Sequence, residues 1–202
     1  SRWEGCRFLA VAQSQASFFV GQLMQAAKRP IRCAVITNVP APYRLPTWDL
    51  LEATGVVELH MVYCAGAHID LSQDGRSSRY QVHFLKGRYD IHDTRFSHAD
   101  PGVWRLLNSI QPDVVVTSGF IPTFLFAFAW AAMHRIPHVT MTDGTLESER
   151  SLSWKHRLVR RFVFSRTQSF VGACQGSTDL YLSYGLPRER IHVAALCTDN
   201  AR

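Results

Sequence analysis

The sequence predicts an α/β fold, a doubly wound parallel sheet with helices on both faces. Three observations predict it. Short β-branched runs alternate with helical segments along the chain, the pattern of stacked βα units. Those runs are continuously apolar instead of alternating, which fits strands covered on both sides. The 202 residues are 47% hydrophobic and 19% charged, enough for the core of one domain and incompatible with a disordered tail.

Each element follows from its residues. Residues 31–37 form a β-branched run and predict the first strand. It ends in Asn38-Val-Pro-Ala-Pro-Tyr-Arg44, where two prolines break regular structure. Residues 45–54 read as a helix closed by Gly55, and 56–63 as the second strand. Gly, Ser and Asp make 65–79 a loop, and 81–85 is a weaker strand. Residues 87–100 are charged and carry His92 and His98 without a clear period, so they read as a polar surface loop, with an acceptor-contacting loop as the alternative. A helix is predicted over 101–110, with Pro at its start. Residues 113–117 are the next apolar strand, turning at Ser118-Gly119 into an apolar helix over 120–133. That helix is too short to cross a bilayer and suits burial against a sheet. A strand over 138–142 leads to the turn Asp143-Gly144. Then follow a helix over 153–165, a strand over 169–171, a helix over 177–184 closed by Gly185, and a last strand over 191–195.

The chain carries 22 Lys and Arg against 16 Asp and Glu, a formal charge of +6. Six of the basic residues lie between Arg150 and Arg166, a stretch without an acid, and the remainder balances. The charge is therefore one local basic segment, unlike the broad basic face of a protein that coats nucleic acid. The five cysteines (Cys6, Cys33, Cys64, Cys174 and Cys197) include no C-x-x-C pair, which suggests small buried thiols in a reduced, cytoplasmic protein. Residues 1–30 read as an extension. Within it, 8–27 is uncharged but too polar for a spanning helix, so a helical extension is expected, with a peripheral membrane anchor as the alternative.

Ligands of such sheets bind outside the carboxyl ends of the strands. Neither a G-x-G-x-x-G nor a P-loop occurs, and no histidine or cysteine spacing suits a metal. Gly172-Ala-Cys174-Gln-Gly176 matches a cysteine form of the nucleophile elbow. Its downstream partners, Asp179 and His192, are poorly placed, so a tight strand–helix junction is the plainer reading. Asp143 follows a strand, with Glu147, Glu149 and Arg150 close behind; a carboxylate there can deprotonate a hydroxyl or merely cap a turn. On the 153–165 helix, at about 100° per residue, Trp154, Leu158, Val159 and Phe162 share one arc, and Arg157, Arg160 and Arg161 the other. With Lys155 and Trp154 this helix suggests a docking surface for an anionic membrane, against the plain alternative of a solvated face.

Taken together, residues 31–200 resemble the N-terminal, Rossmann-like domain of a GT-B glycosyltransferase, most like glycosyltransferase family 4. Four segments carry the resemblance: the first strand with its Pro42-Tyr43-Arg44 loop; Gln111-Pro-Asp-Val-Val-Val-Thr-Ser118; Ile136-Pro-His-Val-Thr-Met-Thr-Asp143; and Ser183-Tyr-Gly-Leu-Pro-Arg-Glu-Arg-Ile-His-Val193 followed by Asp199. The sequence departs from the family where the proline-containing loop replaces the usual Gly-Gly loop. The resemblance implies an acceptor-side domain at 31–199, with the donor-binding C-terminal domain outside this chain. It implies transfer of a sugar from a nucleotide-sugar to a glycan or lipid-linked acceptor, in bacterial envelope polysaccharide synthesis. This domain alone would bind no cofactor and be inactive. Asp143 would be the catalytic residue; Pro42, Tyr43, Arg44, Ser118, Gly119, Glu147 and Arg150 would contact acceptor or phosphate. A GT-B nucleotide-sugar epimerase or hydrolase is the alternative enzyme, and a non-catalytic membrane-docking module the alternative class. No metal site and no nucleic-acid partner are expected.

Overall fold

The structure is a computed structural model that describes residues 29–65, 79–87, 89–92, 95–150 and 152–194. The extension over 1–28, most of the 65–79 loop, Cys6, Cys197 and Asp199 lie outside the described residues.

β1 (Ile31–Thr37) and β2 (Val57–Tyr63) are linked by a short 3-10 turn (Pro42–Arg44) and helix α1 (Leu45–Ala53). Then come β3 (Gln81–Phe84), β4 (Tyr89–His92), β5 (Arg95–His98) and α2 (Val103–Ile110). β6 (Val114–Thr117), α3 (Pro122–His134) and β7 (His138–Thr142) follow. The last elements are α4 (Leu146–Arg150), α5 (Trp154–Arg166), β8 (Ser169–Gly172), α6 (Gln175–Ser183), a 3-10 turn (Arg188–Arg190) and β9 (Ile191–Val193).

Seven strands form one sheet in the order β3-β2-β1-β6-β7-β8-β9. Every pairing in it is parallel. The chain winds outward from β1 to β3, returns to β6, and winds outward the other way. This reversal leaves a crevice beyond the carboxyl ends of β1 and β6, the topological switch point where such sheets bind ligands.

The helices divide unequally between the faces. Ala34, Ile36, Val62 and Val115 point to one face and pack against Leu107 of α2 and Phe124, Ala127 and Trp130 of α3. Phe170 is in register with Thr140, Thr140 with Thr117, and Thr117 with Ile36, so Phe170 shares that face. There it meets Phe164 of α5 and Tyr181 of α6. On the opposite face Cys33, Val35, Leu59 and Met61 pack against Trp48 of α1. Right-handed crossovers produce this division: the β1–β2 connection, which carries α1, runs away from β6, whereas the connections that carry α2, α3, α5 and α6 run the other way across the sheet.

Two sequence-based expectations give way here. Residues 87–100 are not a polar loop: β4 and β5 form an antiparallel hairpin. His98 at its end is 1% exposed, so the solvated and acceptor-contacting readings are both wrong for it. The Thr123 hydroxyl donates to the His98 carbonyl at 3.0 Å and shares a 2.7 Å hydrogen bond with its Nδ1. Thr123 belongs to the first turn of α3, which explains why the local sequence did not show the burial. Cys174 is also exposed, unlike the buried Cys33 and Cys64.

The glycine pattern around Cys174 has a packing origin. A Cβ at Gly172 would come 2.8 Å from the Ser177 Cβ, and one at Gly176 would come 3.0 Å from the Thr145 Cγ2. The glycines thus let α6 approach β8 and the Thr145 loop closely. Asp179 accepts a 2.9 Å hydrogen bond from Gln175, and the Cys174 sulfur lies 3.6 Å from the Ser177 hydroxyl. Among the described residues no acid–histidine pair supports a nucleophile there.

Candidate active site

At the switch point the ends of β1 and β6 are tied together. The Ser118 amide donates to the Ile36 carbonyl at 3.2 Å, and the Ser118 hydroxyl donates to the Thr37 hydroxyl at 3.0 Å. Beyond them opens a cleft of about 190 Å³, bordered by Asn38, Tyr43, Arg44, Tyr63, Ser118 and Asp143. Four of the predicted residues, Tyr43, Arg44, Ser118 and Asp143, therefore meet in one place.

Pro42 opens the 3-10 turn that carries Tyr43 and Arg44 to the cleft, and does not line it. Its fixed φ suits the first position of such a turn. The Arg44 guanidinium lies 5.7 Å from the Tyr43 ring centroid. Arg44 Nε is buried without a hydrogen-bond partner, as is Asn38 Oδ1. Unpartnered buried polar atoms each cost roughly 1–3 kcal/mol. Both atoms are available to a polar group that enters the cleft. Asn38 was not among the residues singled out from sequence; its position one residue past a strand at the switch point was the available signal.

Asp143 does not cap the turn that follows it. Thr142 does so, its hydroxyl accepting the Gly144 amide at 3.0 Å. The Ser148 hydroxyl accepts the Thr145 amide, also at 3.0 Å. The exposed Asp143 carboxylate makes no hydrogen bond or ion pair among the described residues. It is a free acceptor at the cleft wall, the arrangement a general base requires.

Three other predicted residues lie elsewhere. Gly119 is not at the cleft; a Cβ there would press on the Phe124 ring at 3.3 Å. Glu147 and Arg150 pair with each other at 3.2 Å on the exposed side of α4. Arg150 lines a neighbouring groove instead.

The basic helix also differs from expectation. Arg160 does not present its charge outward: it pairs with the buried Glu149 of α4 and lies 4.5 Å over the Phe120 ring. A carboxylate taken out of water requires such a partner. Arg160 therefore leaves the set of membrane-docking candidates. Trp154, Leu158 and Phe162 are 69%, 60% and 54% exposed. α5 is anchored instead by Val163 and Phe164. Lys155, Arg157 and Arg161 are exposed, as expected. Beside the apolar arc runs a groove of about 840 Å³ shared with Leu125, Phe128 and Met133 of α3.

No group of three or more His, Cys, Asp or Glu among the described residues could hold a metal ion. No described helix is long and apolar enough to cross a membrane.

With this geometry in place, a family model described as Glycosyltransferase Family 4 matches residues 56–202. The chain belongs to glycosyltransferase family 4. No curated protein matches it. Among solved structures, Anabaena HepE in complex with UDP and glucose superposes with a TM-score of 0.59 at 13% identity, over 84% of this chain and 45% of that one. UDP-GlcNAc 2-epimerase from Neisseria meningitidis, bound to UDP-GlcNAc, gives 0.54 at 16% identity, over 81% and 45%. UDP-N-acetylglucosamine 2-epimerase from Rickettsia bellii gives 0.56 at 15% identity, over 83% and 45%. At such identities the likeness establishes the fold, and the family 4 chain spans less than half of each of these proteins. The Rossmann-like, GT-B type of domain expected from the sequence is the one observed.

Proposed function

We propose that this family 4 domain is the acceptor side of a hexosyltransferase, active together with a donor-binding half. Asp143 would accept the proton of the acceptor hydroxyl as its oxygen bonds to the sugar's anomeric carbon. The bond from that carbon to the nucleotide's phosphate breaks, and the nucleoside diphosphate departs. Arg44 and Tyr43 border the same cleft and suit anionic or sugar groups. The observation that carries this reading is the free Asp143 carboxylate facing the cleft at the carboxyl ends of the strands. The acceptor would be a glycan or lipid-linked sugar of the bacterial envelope.

Peripheral contact with an anionic membrane belongs to the same reading. Trp154, Leu158 and Phe162 are exposed on α5, flanked by Lys155, Arg161 and Arg166. An apolar stripe beside basic residues is what an interfacial helix presents to a lipid surface.

The test is the fate of labelled sugar in the two-domain enzyme. Transfer predicts label covalently joined to the acceptor. Label recovered only as free sugar or as the epimeric nucleotide-sugar would support the epimerase or hydrolase alternative. The 202 residues assayed alone are predicted to give no turnover.

A further inference from the structure

A second groove lies beside the cleft, where α4, α5 and α6 meet. Arg150, Arg157 and Arg161 line it, together with Leu146, Leu180 and Tyr184, around a volume of about 460 Å³. The only buried acid there is already satisfied. Arg160 pairs with Glu149, and the Tyr184 hydroxyl donates to the same carboxylate at 3.1 Å. Among the described residues Arg150 has only Glu147, a pair in which both side chains are more than three-quarters exposed and which water and salt screen. Arg157 reaches no nearer than 3.5 Å to the Glu149 carbonyl. Arg161 has no acidic partner among the described residues. Arg157 and Arg161 are one helical turn apart on α5, where like charges repel.

The groove is therefore lined by three arginines with little compensating charge. Planar guanidinium forks bind phosphate oxygens through parallel N–H···O bonds. A single carboxylate would leave much of this charge unmatched, whereas a diphosphate would match it. Leu146 and Leu180 add an apolar wall for the group attached to the phosphate. Leu146 follows Asp143 by three residues, so the backbones of these two lining residues are at most about 11 Å apart.

We propose that Arg150, Arg157 and Arg161 form a binding site for a phosphate or diphosphate group, which holds the charged end of the acceptor while its hydroxyl reaches Asp143. The anion site stands on the groove alone; its role toward the acceptor rests on the function proposed above.

The test is calorimetric titration of the chain with inorganic pyrophosphate. Wild type is expected to bind, with affinity falling as salt rises. Arg157→Gln with Arg161→Gln should weaken binding at least about tenfold, and Arg150→Gln alone should weaken it measurably. Arg105→Gln, on α2, should leave it within about twofold. Absence of pyrophosphate binding to wild type, or equal binding to the folded double variant, overturns the proposal. Phosphatidylglycerol vesicles distinguish the source of the phosphate. Vesicle binding that needs Arg157 and Arg161, without any pyrophosphate binding, would mean a flat lipid contact and overturn the groove. Asp143→Asn should leave pyrophosphate affinity unchanged. Intact anion binding with undiminished transfer in that variant would instead refute the proposed catalytic reading.

Discussion

Arg160 of α5 pairs with Glu149 of α4, and Tyr184 after α6 donates to the other carboxylate oxygen at 3.1 Å. One buried charge thereby fastens three helical segments beside the proposed acceptor cleft. The Glu149 and Arg160 side chains are only 9% and 17% exposed, so the pair is poorly screened.

Removing one partner should be more harmful than removing both. Arg160→Met leaves a carboxylate buried without its cation and is predicted to cost about 3–5 kcal/mol. Glu149→Gln combined with Arg160→Met should recover part of that loss. Urea denaturation of the two single variants and the double variant measures both quantities.

Acid should destabilise the fold through His138. Thr167 gives its hydroxyl proton to the Val163 carbonyl, so it accepts from His138 Nδ1–H at 2.8 Å. Nε2 then takes the Thr117 hydroxyl proton at 3.0 Å, and a second ring proton would require that hydroxyl to turn and give up this bond. Burial pushes the His138 pKa down to about 4. A lowered histidine pKa means the unfolded chain binds the proton first. Stability is therefore full above about pH 6.5 and falls as pH drops toward 4, by about 3 kcal/mol. Burial and the neighbouring His60 lower His83 in the same direction. His138→Gln should flatten the stability profile across that window, read by thermal melts at fixed ionic strength.

Thiol reactivity should separate the described cysteines. Burial pushes Cys33 and Cys64 up to about 12. A hydrogen bond with Ser177 lowers Cys174, which is exposed. Iodoacetamide near neutral pH is predicted to label Cys174 first, and Cys33 and Cys64 only after unfolding. Peptide mapping by mass spectrometry reads the order.

The exposed arc of α5 should be dispensable for folding and needed for membrane contact. Replacing Trp154, Leu158 and Phe162 by Ser is predicted to leave the melting temperature within a few degrees. Co-sedimentation with phosphatidylglycerol vesicles should fall at least about tenfold. Unchanged sedimentation would remove the docking surface from the account.

The strands were legible because burial on both faces leaves continuous apolar runs; β7 has the bounds its residues predicted. Tyr43, Arg44, Ser118 and Asp143 were legible because each follows a strand on the ligand side of the sheet. The buried end of the β4–β5 hairpin was not, since His98 bonds to Thr123, 25 residues beyond it. Arg160 was misread for a similar reason. Helical periodicity places it on a basic arc, but its partner Glu149 lies 11 residues earlier on another helix. Asn38 carried no chemical signal of its own, and only the fold shows its side-chain oxygen unpartnered at the cleft.

The central claim is that Asp143 acts on the acceptor hydroxyl in this cleft. The measurement is kcat of Asp143→Asn in the enzyme carrying both halves, with the melting temperature taken alongside. The account predicts a kcat lower by about 10²–10⁴ and an unchanged melting temperature, because the carboxylate holds no structural bond. A kcat within about twofold of wild type in a folded variant would contradict it.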